Sequence, residues 1–233
     1  MPAPAGTTDA AAGIAVAGER LVLVLDARAL LPPGADESSV LVASGPWTPA
    51  LTAEAHARGV REVVLREDDG WDGADVDFLP DLPQLRCVRI RHRSIRDASG
   101  IHAQPALREL EVHTRCRTPI DASAFPALER CALQWRPRAR SVLSAARLIE
   151  LEVTHFAGTD LRAFGSLRSL ETLTLERGVL AKLDGIEALT SLRVLRLRGL
   201  RRLRSLDGVE RLPALAELDV AECPAVSEEA ARR

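Results

Sequence analysis

The chain has 233 residues, of which 46% are apolar and 27% charged, and a formal net charge of -2. A chain of this length buries a sizeable core, and its apolar content excludes a natively unfolded polypeptide. No run of about 20 apolar residues occurs, which excludes an ordinary membrane-spanning helix within it.

Aromatic residues are 3% and tyrosine is absent, so Leu, Val, Ile and Ala must build the core. Lys182 is the only lysine; arginine supplies the rest of the positive charge. With the Ala, Gly and Pro content, this usage fits a GC-rich bacterial genome. Residues 1–84 carry a net charge of -9 and residues 85–233 one of +7. Such a split can mark a polyanion-binding half, although acids are interleaved with the arginines. Cys87, Cys116, Cys131 and Cys223 have no C-x-x-C spacing and read as reduced thiols. The N-terminus lacks the cationic stretch of a secretion signal. A cytoplasmic protein without membrane contact is expected.

Residues 1–18 are expected to form a disordered tail. Residues 19–59 read as an N-terminal capping segment, with strands near 21–25 (LVLVL) and 40–43 (VLVA). A helix near 49–58 follows: Thr48 can cap it, Pro49 suits its first turn and Gly59 can end it. The acidic run REDDGWDGADVD (66–77) lacks the D-x-D-x-D-G-x₅-E frame of a calcium loop and reads as solvated.

From Val60 onward one phrase recurs, L-x-x-L-x-L. It begins at Val60, Leu85, Leu107, Leu128, Leu148, Leu170, Leu192 and Leu215, at steps of 25, 22, 21, 20, 22, 22 and 23. The L-x-L part alternates as a strand does. The intervening leucines fall at every third residue, which suits short 3₁₀ pieces. One strand and one return path make one coil of a solenoid. This pattern resembles the leucine-rich repeat family, in the 22-residue SDS22-like and internalin-like subclass; residues 170–214 match best and the resemblance covers about 60–223. It implies an α/β solenoid: a curved parallel β-sheet, a 3₁₀ or irregular convex side, and the β/α cap before it. The family places Asn or Cys at the ninth position of the repeat to bond neighbouring coils. Here Arg93, Arg115, Arg136, Phe156, Gly178, Leu200 and Cys223 stand there, and only Cys223 fits. Residues 224–233 read as a short tail or partial cap, leaving a last coil that a second copy could cover.

Within each phrase the leucines point inward, so the third, fifth and seventh positions line the concave face. Candidate partner-binding residues are Arg89, Arg91, Glu109, Glu111, His113, Arg130 and Gln134. With them go Glu150, Glu152, Thr154, Thr174, Glu176, Arg196 and Arg198. Acids gather mid-face and arginines at both flanks, a charge order that suits an oppositely patterned partner. His92, Trp135 and His155 share the eighth position and are expected on one rim.

No nucleotide-binding glycine pattern, nucleophile elbow or H-E-x-x-H occurs, so no catalytic or metal-binding residues and no cofactor are expected. The leading expectation is a non-enzymatic scaffold that binds a protein of unknown identity on its concave face, as a bacterial regulator or an antidote-type inhibitor. One alternative is polyanion or nucleic-acid binding through the Arg-rich faces, against which the mid-face glutamates would act. Another is a metal-dependent enzyme using the His-rich rim, with a zinc site from His92, His113 and Cys116, whose spacing belongs to no metal motif.

Overall fold

The computed structural model describes residues 14–16, 21–23 and 39–226. Nine strands form one all-parallel sheet in simple sequence order. They are β3 (Val40–Ala43), β4 (Glu62–Arg66), β5 (Cys87–His92), β6 (Glu109–Thr114), β7 (Arg130–Gln134), β8 (Glu150–Thr154), β9 (Thr172–Glu176), β10 (Val194–Arg198) and β11 (Glu217–Ala221). The first link between them contains the helix α1 (Pro49–Ala57), where the Thr48 hydroxyl accepts the Leu51 N–H at 3.3 Å. The remaining links carry short 3₁₀ turns, the longest of which is Pro137–Ser144. The result is a curved solenoid.

Two further strands, β1 (Ile14–Val16) and β2 (Leu21–Leu23), pair antiparallel with each other. The strand expected near 21–25 is described at 21–23, outside the main sheet, and the expected disordered tail holds a strand at 14–16. The physical reason is local: two short apolar runs four residues apart satisfy each other's backbone groups as a hairpin. Residues 1–13, 17–20, 24–38 and 227–233 lie outside the described residues, as do the expectations that fall on them.

Each strand contributes two inward side chains that stack on the same two positions of the next. One column runs Val63, Val88, Leu110, Cys131, Leu151, Leu173, Leu195 and Leu218. All but the last are at most 3% exposed; Leu218, at the end of the described sheet, is 39% exposed. The apolar residues of the return paths, such as Leu180, Leu183, Ile186, Leu189 and Leu192, are at most 1% exposed. Three-residue spacing thus turns every third side chain inward.

A second ladder lies just ahead of the strands. The Arg86 carbonyl accepts N–H groups from both Arg108 and Glu109, at 2.8 and 3.1 Å. The Arg108, Glu129, Ile149, Glu171 and Arg193 carbonyls accept in the same paired way from the coil that follows. Each coil's entry is thereby pinned to its neighbour before the sheet begins.

Coil corners demand special backbone. Gly185 has φ 96°, and an added Cβ would lie 2.6 Å from the Arg162 backbone. Gly178 has no positive φ, yet its Cβ would meet the Phe156 carbonyl at 2.7 Å. Gly45, with φ 70°, faces open space. Gly45→Ala should cost about 1 kcal/mol from backbone strain alone, and Gly185→Ala about 3 kcal/mol because backbone must also shift. Denaturant midpoints measure both; equal losses would contradict the close approach.

Candidate functional site

The three outward positions of each strand align into columns. In register run Cys87, Glu109, Arg130, Glu150, Thr172, Val194 and Glu217; beside them run Arg89, Glu111, Ala132, Glu152, Thr174, Arg196 and Asp219. Arg91 stands opposite His113, and Gln134, Thr154, Glu176 and Arg198 follow one another in the third column. All fourteen candidate concave-face residues therefore share one surface.

Their charges are spent largely on one another. Arg89 reaches Glu62 at 2.7 Å, Glu109 at 3.0 Å and Glu111 at 3.3 Å. Arg91 pairs with Glu111 through its Nε. Arg130 bridges Glu109 at 2.6 Å and Glu150 at 3.7 Å. At the other flank Arg196 holds Glu217 at 2.9 Å and Arg198 holds Asp219 at 2.6 Å. Several pairs are diagonal, because a guanidinium reaches past the residue directly opposite. The basic flanks read from the sequence are consequently neutralised by neighbouring coils.

Glu111 anchors the first network with a side chain only 6% exposed. Burial alone would push its carboxyl up, but the Arg91 hydrogen bond and charge, with His113 and Arg89, hold it below the ordinary value. His113 is held below its ordinary value, first by burial. Its Nε2 lies 4.0 Å from Glu152 and makes no hydrogen bond.

The exception to this neutrality is mid-face. Burial, followed by the charge of Glu176 and then those of Glu111 and Glu150, pushes the Glu152 carboxyl up, against the opposing pull of Arg91. Neither Glu152 nor Glu176 has an arginine or lysine within salt-bridge reach among the described residues. Thr154, Thr174 and Gln134 surround them in register. This is an uncompensated acidic spot on an otherwise balanced surface.

The eighth-position rim is not uniform. His92 is 6% exposed, edge-on to Trp71 at 4.9 Å. Strand alternation explains it: β5 runs on to His92, which follows Val88 and Ile90 inward. Trp135 is half-buried against Phe156 at 4.9 Å. Only His155 stands exposed, turned out by a left-handed φ of 60°. Cys116 lines one depression with Trp135, its sulfur 3.0 Å from the Thr114 hydroxyl and 3.3 Å from Arg136. No group of three or more His, Cys, Asp or Glu is placed to hold a metal ion among the described residues.

Two residues do what the ninth position does in the resembling family. Cys223 donates to the Leu197 carbonyl at 3.6 Å, and Arg136, unexpectedly, to the Cys116 carbonyl at 2.7 Å. Sequence reading missed Arg136 because a long cation at a buried corner carries no spacing signal.

The protein's fold is a leucine-rich repeat solenoid. Internalin C2 of Listeria monocytogenes superposes with a TM-score of 0.58 at 14% identity, over 78% of this chain and 80% of that one. A leucine-rich repeat protein of Leptospira interrogans does so with a TM-score of 0.55 at 17% identity, over 76% of this chain and 52% of that one. These likenesses establish the fold alone. No protein-family model matches the sequence, and no curated protein matches it.

Arg89→Ala leaves the largely buried Glu62 without its ion-pair partner and takes one of two arginines from Glu111, and should cost about 3 kcal/mol, against at most about 1 kcal/mol for Arg196→Ala at its more exposed pair. Thermal denaturation ranks them, and the reverse order would contradict the network. A raised carboxyl pKa means the folded state binds protons more tightly, so this term favours folding at low pH and is lost as pH rises through the folded value. Glu152→Gln should therefore raise the melting temperature at pH 7, and the gap should close as pH falls below the ordinary glutamate value of 4.5. A gap that stays constant with pH would contradict the assignment.

Proposed function

We propose that the chain is a non-enzymatic scaffold that binds a protein partner on its concave face. The reading is supported by a broad preformed surface, whose columns need no reordering on binding. The observation that carries it is the half-buried Glu152 beside Glu176, neither of them in an ion pair with an arginine or lysine, where the other concave-face carboxylates are paired. A partner that places an arginine or lysine there would relieve the repulsion and gain a desolvated ion pair. Thr154, Thr174 and Gln134 offer hydrogen bonds around it.

The steps of 20 to 25 residues between phrases support the 22-residue subclass shared by SDS22-like and internalin-like proteins. Four free cysteines support a reducing compartment, the cytoplasm, and no described helix is long and apolar enough to cross a membrane. The arginine-rich composition supports a bacterial source. A regulator or antidote-type inhibitor, which blocks its partner by occupying it, is the specific role we infer.

Cross-linking mass spectrometry on material co-purified from the native cytosol tests this. A partner is expected whose cross-links fall on β6 to β10, and whose recovery drops at least about tenfold with Thr154→Arg/Thr174→Arg. Cross-links confined to the return paths, with unchanged recovery by that variant, would overturn it.

A further inference from the structure

We propose that the edge of the sheet where the strands end is a second interaction surface, a basic groove that takes an extended acidic segment of a protein. The concave arginines are occupied, as the pairs of Arg89, Arg91, Arg130, Arg196 and Arg198 show. Most arginines just past the strand ends are not, Arg136 with its bond to the Cys116 carbonyl being an exception. The side chains of Arg93, Arg115, Arg117, Arg138, Arg177 and Arg202 are exposed and have no hydrogen bond or ion pair among the described residues.

Three adjoining depressions follow this edge. One of about 640 Å³ is lined by Trp135, Arg115, Arg117 and Arg138. A second of about 700 Å³ shares Thr114, Arg115 and Gln134 with it and extends to Arg93 and Arg177. A third, of about 900 Å³, begins at Arg177 and ends beyond Arg202. Acids enter only at the extremities, Glu67 and Asp68 at one and Glu222 at the other. From the coil of β5 to that of β10 there are five strand spacings of about 4.8 Å, or the length of roughly seven extended residues.

Free guanidinium groups present paired donors that match carboxylates. The groove favours a polypeptide over a nucleic acid because its accessible aromatic surface is sparse, with His155 the one exposed ring lining it. Trp135 is the only Trp or Phe lining the three depressions, and its ring already packs edge-on against Phe156. Single-stranded nucleic acids rely on a series of exposed rings. The neighbouring Glu152 and Glu176 would also repel a continuous string of phosphates. The groove borders the mid-face spot and shares Thr154 and Gln134 with it, but none of its free arginines belongs to that spot, so its failure leaves the concave reading untouched.

Fluorescence anisotropy of the full chain tests it with two labelled probes, a peptide of alternating Glu and Ser with six acids and an oligo-dT of equal charge. The peptide should bind at about 50 mM salt and weaken several-fold by about 200 mM. Arg115→Ser/Arg117→Ser/Arg138→Ser should lose about tenfold in affinity, as should Arg93→Ser/Arg177→Ser/Arg202→Ser. Removing the same charge at the opposite, strand-entry end, with Arg61→Ser/Arg147→Ser/Arg168→Ser, should leave affinity unchanged. Melting curves matching the parent's show that a variant is folded, and the two groove variants serve as substitutes for each other. No peptide binding at low salt, equal losses for groove and control variants, or tighter binding of the oligo-dT would each overturn the proposal.

Discussion

One constraint governs the molecule: each coil must enter the sheet one strand spacing from the last and in register with it. The carbonyls ahead of the strands enforce this, each taking two N–H groups from the following coil. Those bonds fix where a strand starts, and a strand's start fixes which side chains face in. A slip of one residue would put Leu173 and Leu175 into solvent and Thr172 and Thr174 into the core. Buried leucine and hydrogen-bond register therefore reinforce each other, coil after coil.

The same register determines the electrostatics. Because outward positions form unbroken columns, a charge on one coil sits within reach of charges on the coils either side. Arg89 collects carboxylates from β4 and β6 together. What the register leaves unmatched then becomes informative: two glutamates in the middle of the hollow, and a row of arginines along one edge. The first is the spot we propose for a cationic side chain, the second the edge we propose for an acidic one. A single partner with both features could span them, and two partners could occupy them separately.

Leucine spacing made the solenoid and the membership of each column legible, since a parallel sheet with one strand per repeat can align only one way. Pairing was less legible. The register puts Arg196 beside Asp219, while the long guanidinium reaches diagonally to Glu217 instead. Exposure along the rim was not legible for a related reason. His92 and His155 hold the same repeat position, but strand extension takes one inward and a left-handed corner turns the other out. That choice is made by backbone at the strand end, which residue type alone does not dictate. Arg136 at a ninth position was equally hidden, because its role depends on a carbonyl twenty residues earlier coming within 2.7 Å.

Amide hydrogen exchange, read along the chain by mass spectrometry, tests the governing constraint most directly. Protection should recur with each strand from β4 to β10, extend one or two residues ahead of it into the paired-carbonyl entry, and fall away in every return path. A single continuous block of protection across a strand and its return path, or protection that ignores the repeat, would contradict the register on which both surfaces rest.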